Sequence, residues 1–173
     1  MFPDRTRRVN DFHEPPSTRV AFLCDAMLGS LARWLRFFGF DTLYFEPGVA
    51  DGVLARAARL EGRWLVTRDR RLAAEGPRTL LLRADSLDSQ LVEVFSRLGL
   101  HPAANLDRSR CGECNGALKE VRRSEVSEVV PPHVLATAPR FRRCSDCGRV
   151  FWPGTHSERI IHRMVEISES INS

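Results

Sequence analysis

Two kinds of side chain in this sequence are spaced for chemistry: cysteines in pairs, and aspartates at the ends of apolar runs. The pairs are Cys111-Gly-Glu-Cys114 and Cys144-Ser-Asp-Cys147. With two residues between them, both thiolates of a tight knuckle point at one tetrahedral ion while nearby amides donate to sulfur. Two such knuckles close a four-thiolate site of the structural zinc type. Gly112 lies inside the first knuckle, Gly116 just past it and Gly148 directly after the second, where tight backbone needs them. Redox motifs or disulfides are the competing readings. A redox pair would not come twice in so short a segment, and disulfides are disfavoured in a cytosolic protein. His156 is not needed as a further ligand once four thiolates complete the tetrahedron. The fifth cysteine, Cys24, ends an apolar strand and reads as a small buried residue.

The aspartates are Asp25, Asp51 and Asp69. Asp25 follows the first expected strand, Asp51 opens the second expected helix, and Asp69 follows the third strand. Carboxylates gathered on one edge repel one another unless a hard divalent cation sits among them, and oxygen ligands suit Mg²⁺ or Mn²⁺. Such an ion lowers the pKa of a bound water and stabilises charge building on a phosphodiester. Each acid also has a plainer reading as a helix cap, Asp51 most of all. Charges crowd the last one, in Thr67-Arg68-Asp69-Arg70-Arg71, so that arginines there would hold phosphate while acids hold metal. The spacing points to a metal-dependent phosphodiesterase.

These residues need a scaffold that brings distant positions to one edge. Val20-Ala-Phe-Leu-Cys24 is a continuous apolar run, the pattern of a strand buried on both faces. From Met27 to Phe38, Leu28, Leu31, Leu35 and Phe38 share one helical face, with Arg33 and Arg36 off that stripe, and Gly39 stops the helix. Further strands are expected at 42–46, 63–67 and 79–82, with helices opening at Asp51, Arg70 and Leu87. Strands alternating with helices give an α/β fold with a mostly parallel sheet and helices on both faces. In such sheets the reactive edge lies where strands end and helices begin.

The expected organisation is a flexible leader at 1–18, an α/β domain at 19–105, a zinc module at 106–155, and an amphipathic helix or tail at 156–173. That tail carries Ile160, Ile161, Met164, Val165 and Ile167 on one face, which could pack on either domain or serve a protein partner or homo-oligomer. Around the second knuckle, Arg140, Arg142, Arg143 and Arg149 alternate with Phe141, Phe151, Trp152 and His156. Arginine interleaved with aromatics grips single-stranded RNA, and aromatics of this kind also serve as a small core.

Composition sets outer limits. The chain has 173 residues, 43% hydrophobic and 28% charged, which is the balance of a globular protein with a core. No apolar run approaches the roughly 20 residues of a membrane span. The amino-terminal segment has charge but no following apolar stretch, so no secretory signal is read and the expected location is cytoplasmic. A net charge of +4 permits a polyanionic partner without requiring one. All the basic residues but Lys119 are arginine.

As a succession, Asp25-Ala-Met-Leu-Gly-Ser-Leu-Ala-Arg-Trp-Leu-Arg36, the Gly39-Phe-Asp41 turn, Leu65-Val-Thr-Arg-Asp-Arg70, the two C-x-x-C pairs and Phe151-Trp-Pro-Gly-Thr-His156 resemble one family. It is the PIN-like ribonuclease family found as the C-terminal domain of the exonuclease Mut-seven, and the likeness runs from about residue 20 to 160. The resemblance implies a PIN-like α/β/α sandwich with a small four-cysteine zinc ribbon. It implies metal-dependent endoribonuclease chemistry on RNA, with Asp25, Asp51 and Asp69 as the acids of the site. It further implies that Thr67 and Arg68 flank the last acid and that Arg33 and Arg36 meet the RNA backbone. Many PIN domains carry a fourth acid. Here the expected neighbourhood reads Arg70-Arg71-Leu72, leaving Asp85 and Asp88 as candidates. A different class of function fits the same letters: a non-catalytic RNA- or ribosome-associated adaptor that docks through the zinc ribbon. No Walker-type glycine loop is present to cradle a nucleotide.

Overall fold

The computed structural model describes residues 20–172; the segment 1–18, read above as a leader, lies outside the described residues. In chain order the elements are β1 (Ala21–Cys24), α1 (Gly29–Phe37), β2 (Asp41–Tyr44), α2 (Asp51–Leu60), β3 (Trp64–Thr67), α3 (Arg70–Ala73), β4 (Thr79–Leu81), α4 (Leu87–Leu98), β5 (Leu118–Val121), α5 (Pro132–Thr137), β6 (Phe141–Cys144), β7 (Val150–Phe151) and α6 (Thr155–Ile171). Short 3₁₀ turns occupy Ala26–Leu28 and Arg123–Glu125.

The apolar run after Val20 forms the centre of a four-stranded sheet, order β2-β1-β3-β4, parallel throughout. Strand alternation divides its side chains between two layers. Phe22, Cys24, Val66 and Leu80 pack with Leu31 and Leu35 of α1, Leu91 and Phe95 of α4, and Met164 of α6. Leu23 and Leu65 pack on the opposite face with Leu54 and Ala58 of α2 and Leu72 of α3. Each fully buried Leu or Phe is worth roughly 1.5–3 kcal/mol of burial, so the two layers together form an α/β/α sandwich.

The strand order reverses at β1. Helix α1 carries the chain from β1 to β2 on one side, and α2 carries it back to β3 on the other. At such a reversal the loops beyond the carboxyl ends of the two strands diverge and leave a crevice. Asp25 and Thr67 stand there.

Residues 106–155 build a second, antiparallel sheet, β5-β6-β7. The stretch between the cysteine pairs, which the sequence pattern leaves without elements, holds β5, a 3₁₀ turn and α5. These enclose a small core of Val126, Val130, Ala138 and Phe141.

This ribbon is bolted to the sandwich by buried polar side chains. Arg36, expected to face RNA, is instead only 7% exposed. Its Nε donates to the Thr42 carbonyl at 2.9 Å, and one terminal nitrogen donates to the carbonyls of Gly112 (2.9 Å) and Glu113 (3.0 Å). Asn115 accepts from the Thr42 amide at 3.0 Å and donates to Asp41 at 2.7 Å. Asp41 in turn pairs with Arg63, whose Nη1 lies 2.8 Å away. Burial pushes the Asp41 carboxyl upward, but hydrogen bonds from Arg63 and Asn115 outweigh it and leave it below its ordinary value. Gly39, at φ +91°, leaves only 2.9 Å between an added Cβ and the Arg108 carbonyl, so no larger residue fits this crossing.

The tail returns to the sandwich. Ile160, Met164 and Ile167 of α6 are buried in the same layer as α1 and α4. Arg163 caps the seam: its Nε donates to Asp88 at 2.7 Å and its guanidinium lies 4.9 Å from the Trp34 ring centroid. The apolar face expected to pack on a domain or a partner is thus largely covered by the chain itself, with Val165 left 39% exposed. Among the described residues no helix is long and apolar enough to cross a membrane.

Candidate functional site

At the carboxyl ends of β1 and β3 one hydroxyl joins two acids. Cys24 and Val66 are register partners, and the next residue, Asp25, donates its amide to the Val66 carbonyl at 3.2 Å. The fully buried Thr67 hydroxyl donates to Asp25 Oδ2 and accepts from the Asp69 amide at 2.9 Å. The other Asp25 oxygen accepts from the Met27 amide at 2.9 Å, capping the 3₁₀ turn. Asp25 is only 6% exposed, so neither oxygen is left without a donor.

Asp69 caps α3, its Oδ1 accepting from the amides of Arg71 (2.6 Å) and Leu72 (3.4 Å). The cap readings of Asp25 and Asp69 are therefore real. For Asp51 the cap reading is overturned. Ala50 occupies the N-cap with no side-chain hydrogen bond, and Asp51 is the exposed first residue of α2, a position that the positive end of the helix favours for an acid.

The arginines divide. Arg36 is committed to backbone, as above. Arg33, about half exposed, pairs with Glu113 at 2.9 Å on the ribbon. Arg68 pairs with Asp85, which is 88% exposed in the loop after β4. That loop is pinned by α4. Glu93 accepts from the amides of Arg83 and Ala84, each at 3.0 Å, and Gln90 donates to the carbonyls of Ala84 and Asp85. Burial works to raise the Glu93 carboxyl, yet the two amides and Arg97 bring it below its usual range. Of the two candidates for a fourth acid, Asp85 is thus tied to the sheet edge through Arg68, and Asp88 to α6 through Arg163.

The cysteines converge. The Sγ atoms of Cys111, Cys114, Cys144 and Cys147 all lie within 4.8 Å of one another. Cys111 and Cys147 are 3.7 Å apart and Cys114 and Cys144 are 3.3 Å apart. Thiolates about 2.3 Å from a tetrahedral ion stand about 3.8 Å from each other, and a disulfide needs about 2 Å. The cluster has the dimensions of a four-thiolate site and could hold zinc. Burial pushes Cys114 up to about 12. At Cys144 burial acts the same way, but the amides of Cys147 and Asp146 and the neighbouring thiols outweigh it and bring it to about 7. Cys24 is wholly buried, and that burial, with Asp25 beside it, raises its thiol far above the ordinary value.

Among the described residues this is the one group of three or more Cys, His, Asp or Glu side chains close enough to hold an ion; Asp25, Asp51 and Asp69 are not drawn together that tightly. The sequence pattern did not reveal Asp41 and Asn115, which fasten the first knuckle to β2. Their signal is tertiary, since 74 residues separate them.

The family model described as the Mut7-C RNAse domain matches residues 20–164, from just before β1 into α6. No curated protein and no solved structure matches the chain.

Proposed function

The chain belongs to the Mut7-C RNAse domain family, and from that premise we propose that it is a metal-dependent endoribonuclease whose site is the carboxylate edge at the strand-order reversal. The observation that carries this reading is the Asp25–Thr67–Asp69 linkage across the ends of β1 and β3. A buried hydroxyl ties the Asp25 carboxylate to the backbone amide of Asp69, so that two acidic residues from distant parts of the chain meet on one edge. Carboxylates alone make a hard oxygen donor set, which suits Mg²⁺ or Mn²⁺. Asp25 and Asp69 would hold the ion, with Asp51 at the exposed start of α2 and Asp85 at the adjoining loop contributing further oxygens. When bound, the ion supplies an acidified water and stabilises charge on the phosphodiester.

The chain's own groups do the positioning. Thr67 and the Met27 amide fix the Asp25 carboxylate, and the first amides of α3 fix Asp69. Arg68, Arg70 and Arg71, which flank Asp69 in the sequence, would supply the cationic groups that a scissile phosphate needs. In this reading the four cysteines hold one structural zinc, and the protein works in the cytoplasm, where thiols stay reduced.

A second reading has its own support: an RNA- or ribosome-associated adaptor without catalysis. Asp25 and Asp69 both serve as caps, and the acids do not form an ion-sized cluster. A cleavage assay separates the two. With Mn²⁺ present, the protein is expected to cut mixed single-stranded RNA, and Asp25→Asn or Asp69→Asn to slow cutting by about 100-fold or more. Mn²⁺ binding by calorimetry should weaken in the same variants. Cleavage unchanged in both variants, or none by the parent protein, favours the adaptor.

A further inference from the structure

Away from the sheet edge, a cleft of about 630 Å³ runs between the sandwich and the ribbon. A second cavity of about 480 Å³ adjoins it, and Arg149, Val150 and Trp152 line both. Asp25, Asp51, Thr67 and Asp69 line neither. The floor of the larger cleft is apolar, with Phe37, Phe151, Trp152 and Ile160 among its lining residues. Trp152 also packs against the ribbon's small core, which holds the ring in place.

The rim is cationic: five arginines and two carboxylates line the cleft. Two of the arginines are structural, Arg142 donating to the Leu106 and Ser109 carbonyls and Arg110 to the Asn115 carbonyl. The other three, Arg33, Arg140 and Arg149, are each about half exposed. Glu113 is shared by Arg33 at 2.9 Å and Arg149 at 3.3 Å, and Asp107 meets Arg140 at 2.9 Å. Three half-exposed guanidiniums facing two carboxylates leave net positive charge. Exposed pairs of this kind are weak and exchange readily for a phosphate. The amino end of α6, where the Ser157 hydroxyl accepts from the Gly154 amide at 2.8 Å, opens on the same cleft and adds to the positive potential.

We propose that this cleft is a seat for single-stranded RNA, taking an unstacked base against Trp152 and Phe151 and the flanking phosphates on Arg33, Arg149 and Arg140. The choice of RNA rests on the family reading above; the seat itself is a binding surface separate from the carboxylate edge. A duplex cannot use it, because its bases stay stacked inside the helix and present no face to an apolar floor. Paired cations over an aromatic floor are the arrangement by which single strands are held without strict sequence preference.

Fluorescence anisotropy tests this with the full zinc-loaded chain carrying Asp25→Asn, so that the strand stays intact. The probe is a labelled oligouridylate of roughly twelve nucleotides. The expected result is binding of the single strand, at least about 10-fold weaker binding of a duplex of equal length, and about 10-fold loss in the Arg33→Gln/Arg149→Gln double variant. That variant should also flatten the salt dependence by about two phosphate contacts. Glu113→Gln, which releases both guanidiniums, should tighten binding several-fold, a gain that misfolding cannot mimic. The proposal is overturned by no binding of the oligonucleotide, by a duplex competing equally, or by affinities unmoved in the double variant or in Glu113→Gln. A protein that binds in this pattern yet cuts nothing would sink the nuclease reading and leave the seat standing.

Discussion

A hydroxyl with no access to solvent is the hinge of the proposed chemistry. Thr67 both donates to Asp25 and accepts from the Asp69 amide, so its loss affects two acids at once. Thr67→Val keeps the shape and removes the oxygen. It should lower RNA cleavage by about 10- to 100-fold and stability by about 1–3 kcal/mol, because the buried Asp25 carboxylate and the part-buried Asp69 amide each lose a partner. Thr67→Ser should recover most of the activity, and steady-state cleavage rates beside urea titrations would show both. If valine cuts as well as threonine, the hydroxyl is mere packing. Arg36 makes the opposite case. Its guanidinium is spent on three carbonyls from β2 and the first knuckle. Arg36→Gln should therefore destabilise the fold by about 2–4 kcal/mol while leaving the RNA affinity of the folded fraction within about twofold. A large affinity loss at unchanged stability would restore the phosphate-contact role that the family resemblance implies.

At the scale of elements, the tight packing of the first knuckle makes sharp demands on glycine. A Cβ on Gly116 would stand 2.6 Å from Cys144 Sγ and 2.7 Å from Asp146 Cγ, whereas one on Gly52, in the first turn of α2, meets nothing within 4 Å. Gly116→Ala is thus expected to lower zinc content well below one per chain and cost 2 kcal/mol or more, roughly the scale of an overpacked core. Gly52→Ala should add about 0.5 kcal/mol through helix propensity. Elemental analysis and thermal melts of the pair check both. The same contrast explains what could be read from letters. The four parallel strands and α1, α2 and α4 are legible because their apolar residues recur at fixed spacing, and that spacing follows from burial on one or both faces. The cysteine site is legible because ligand spacing is local within each knuckle. Arg36 is misread because periodicity sees only the layer beneath a helix, and here the ribbon covers its other side. Asp51 is misread as a cap because Ala50 takes that position in extended backbone, a one-residue shift that composition does not register. The convergence of acids is only half legible: topology puts them on one edge, but their separation depends on loop paths that no pattern encodes.

For the molecule as a whole, the question is whether the ribbon is an independent appendage or part of one cooperative unit. A segment with a core of four buried side chains, Val126, Val130, Ala138 and Phe141, is too small to fold on burial alone, and metal binding would supply the missing free energy. Its attachments are not those of a tethered module. The Gly112 and Glu113 carbonyls satisfy Arg36, Asn115 satisfies the Thr42 amide, the Arg110 amide donates to the Arg36 carbonyl, and α6 then re-enters the sandwich core. Freeing the knuckle by removing zinc would strand a buried guanidinium and an amide within the sandwich, a penalty of several kcal/mol. Chelation should therefore not melt the ribbon alone. It should lower the midpoint of a single transition, and a loss of about 3 kcal/mol corresponds to about 6–12 °C for a chain of this size. Calorimetry with and without a chelator measures the shift. Tryptophan signals from Trp34 in α1 and Trp152 beside the ribbon core, read in variants lacking the other tryptophans, report whether both regions move together. Coincident melting curves in both states are the expected outcome. A zinc-free protein in which the Trp34 signal keeps its original midpoint while the Trp152 signal collapses would show the two sheets to be energetically separate, whatever polar groups join them.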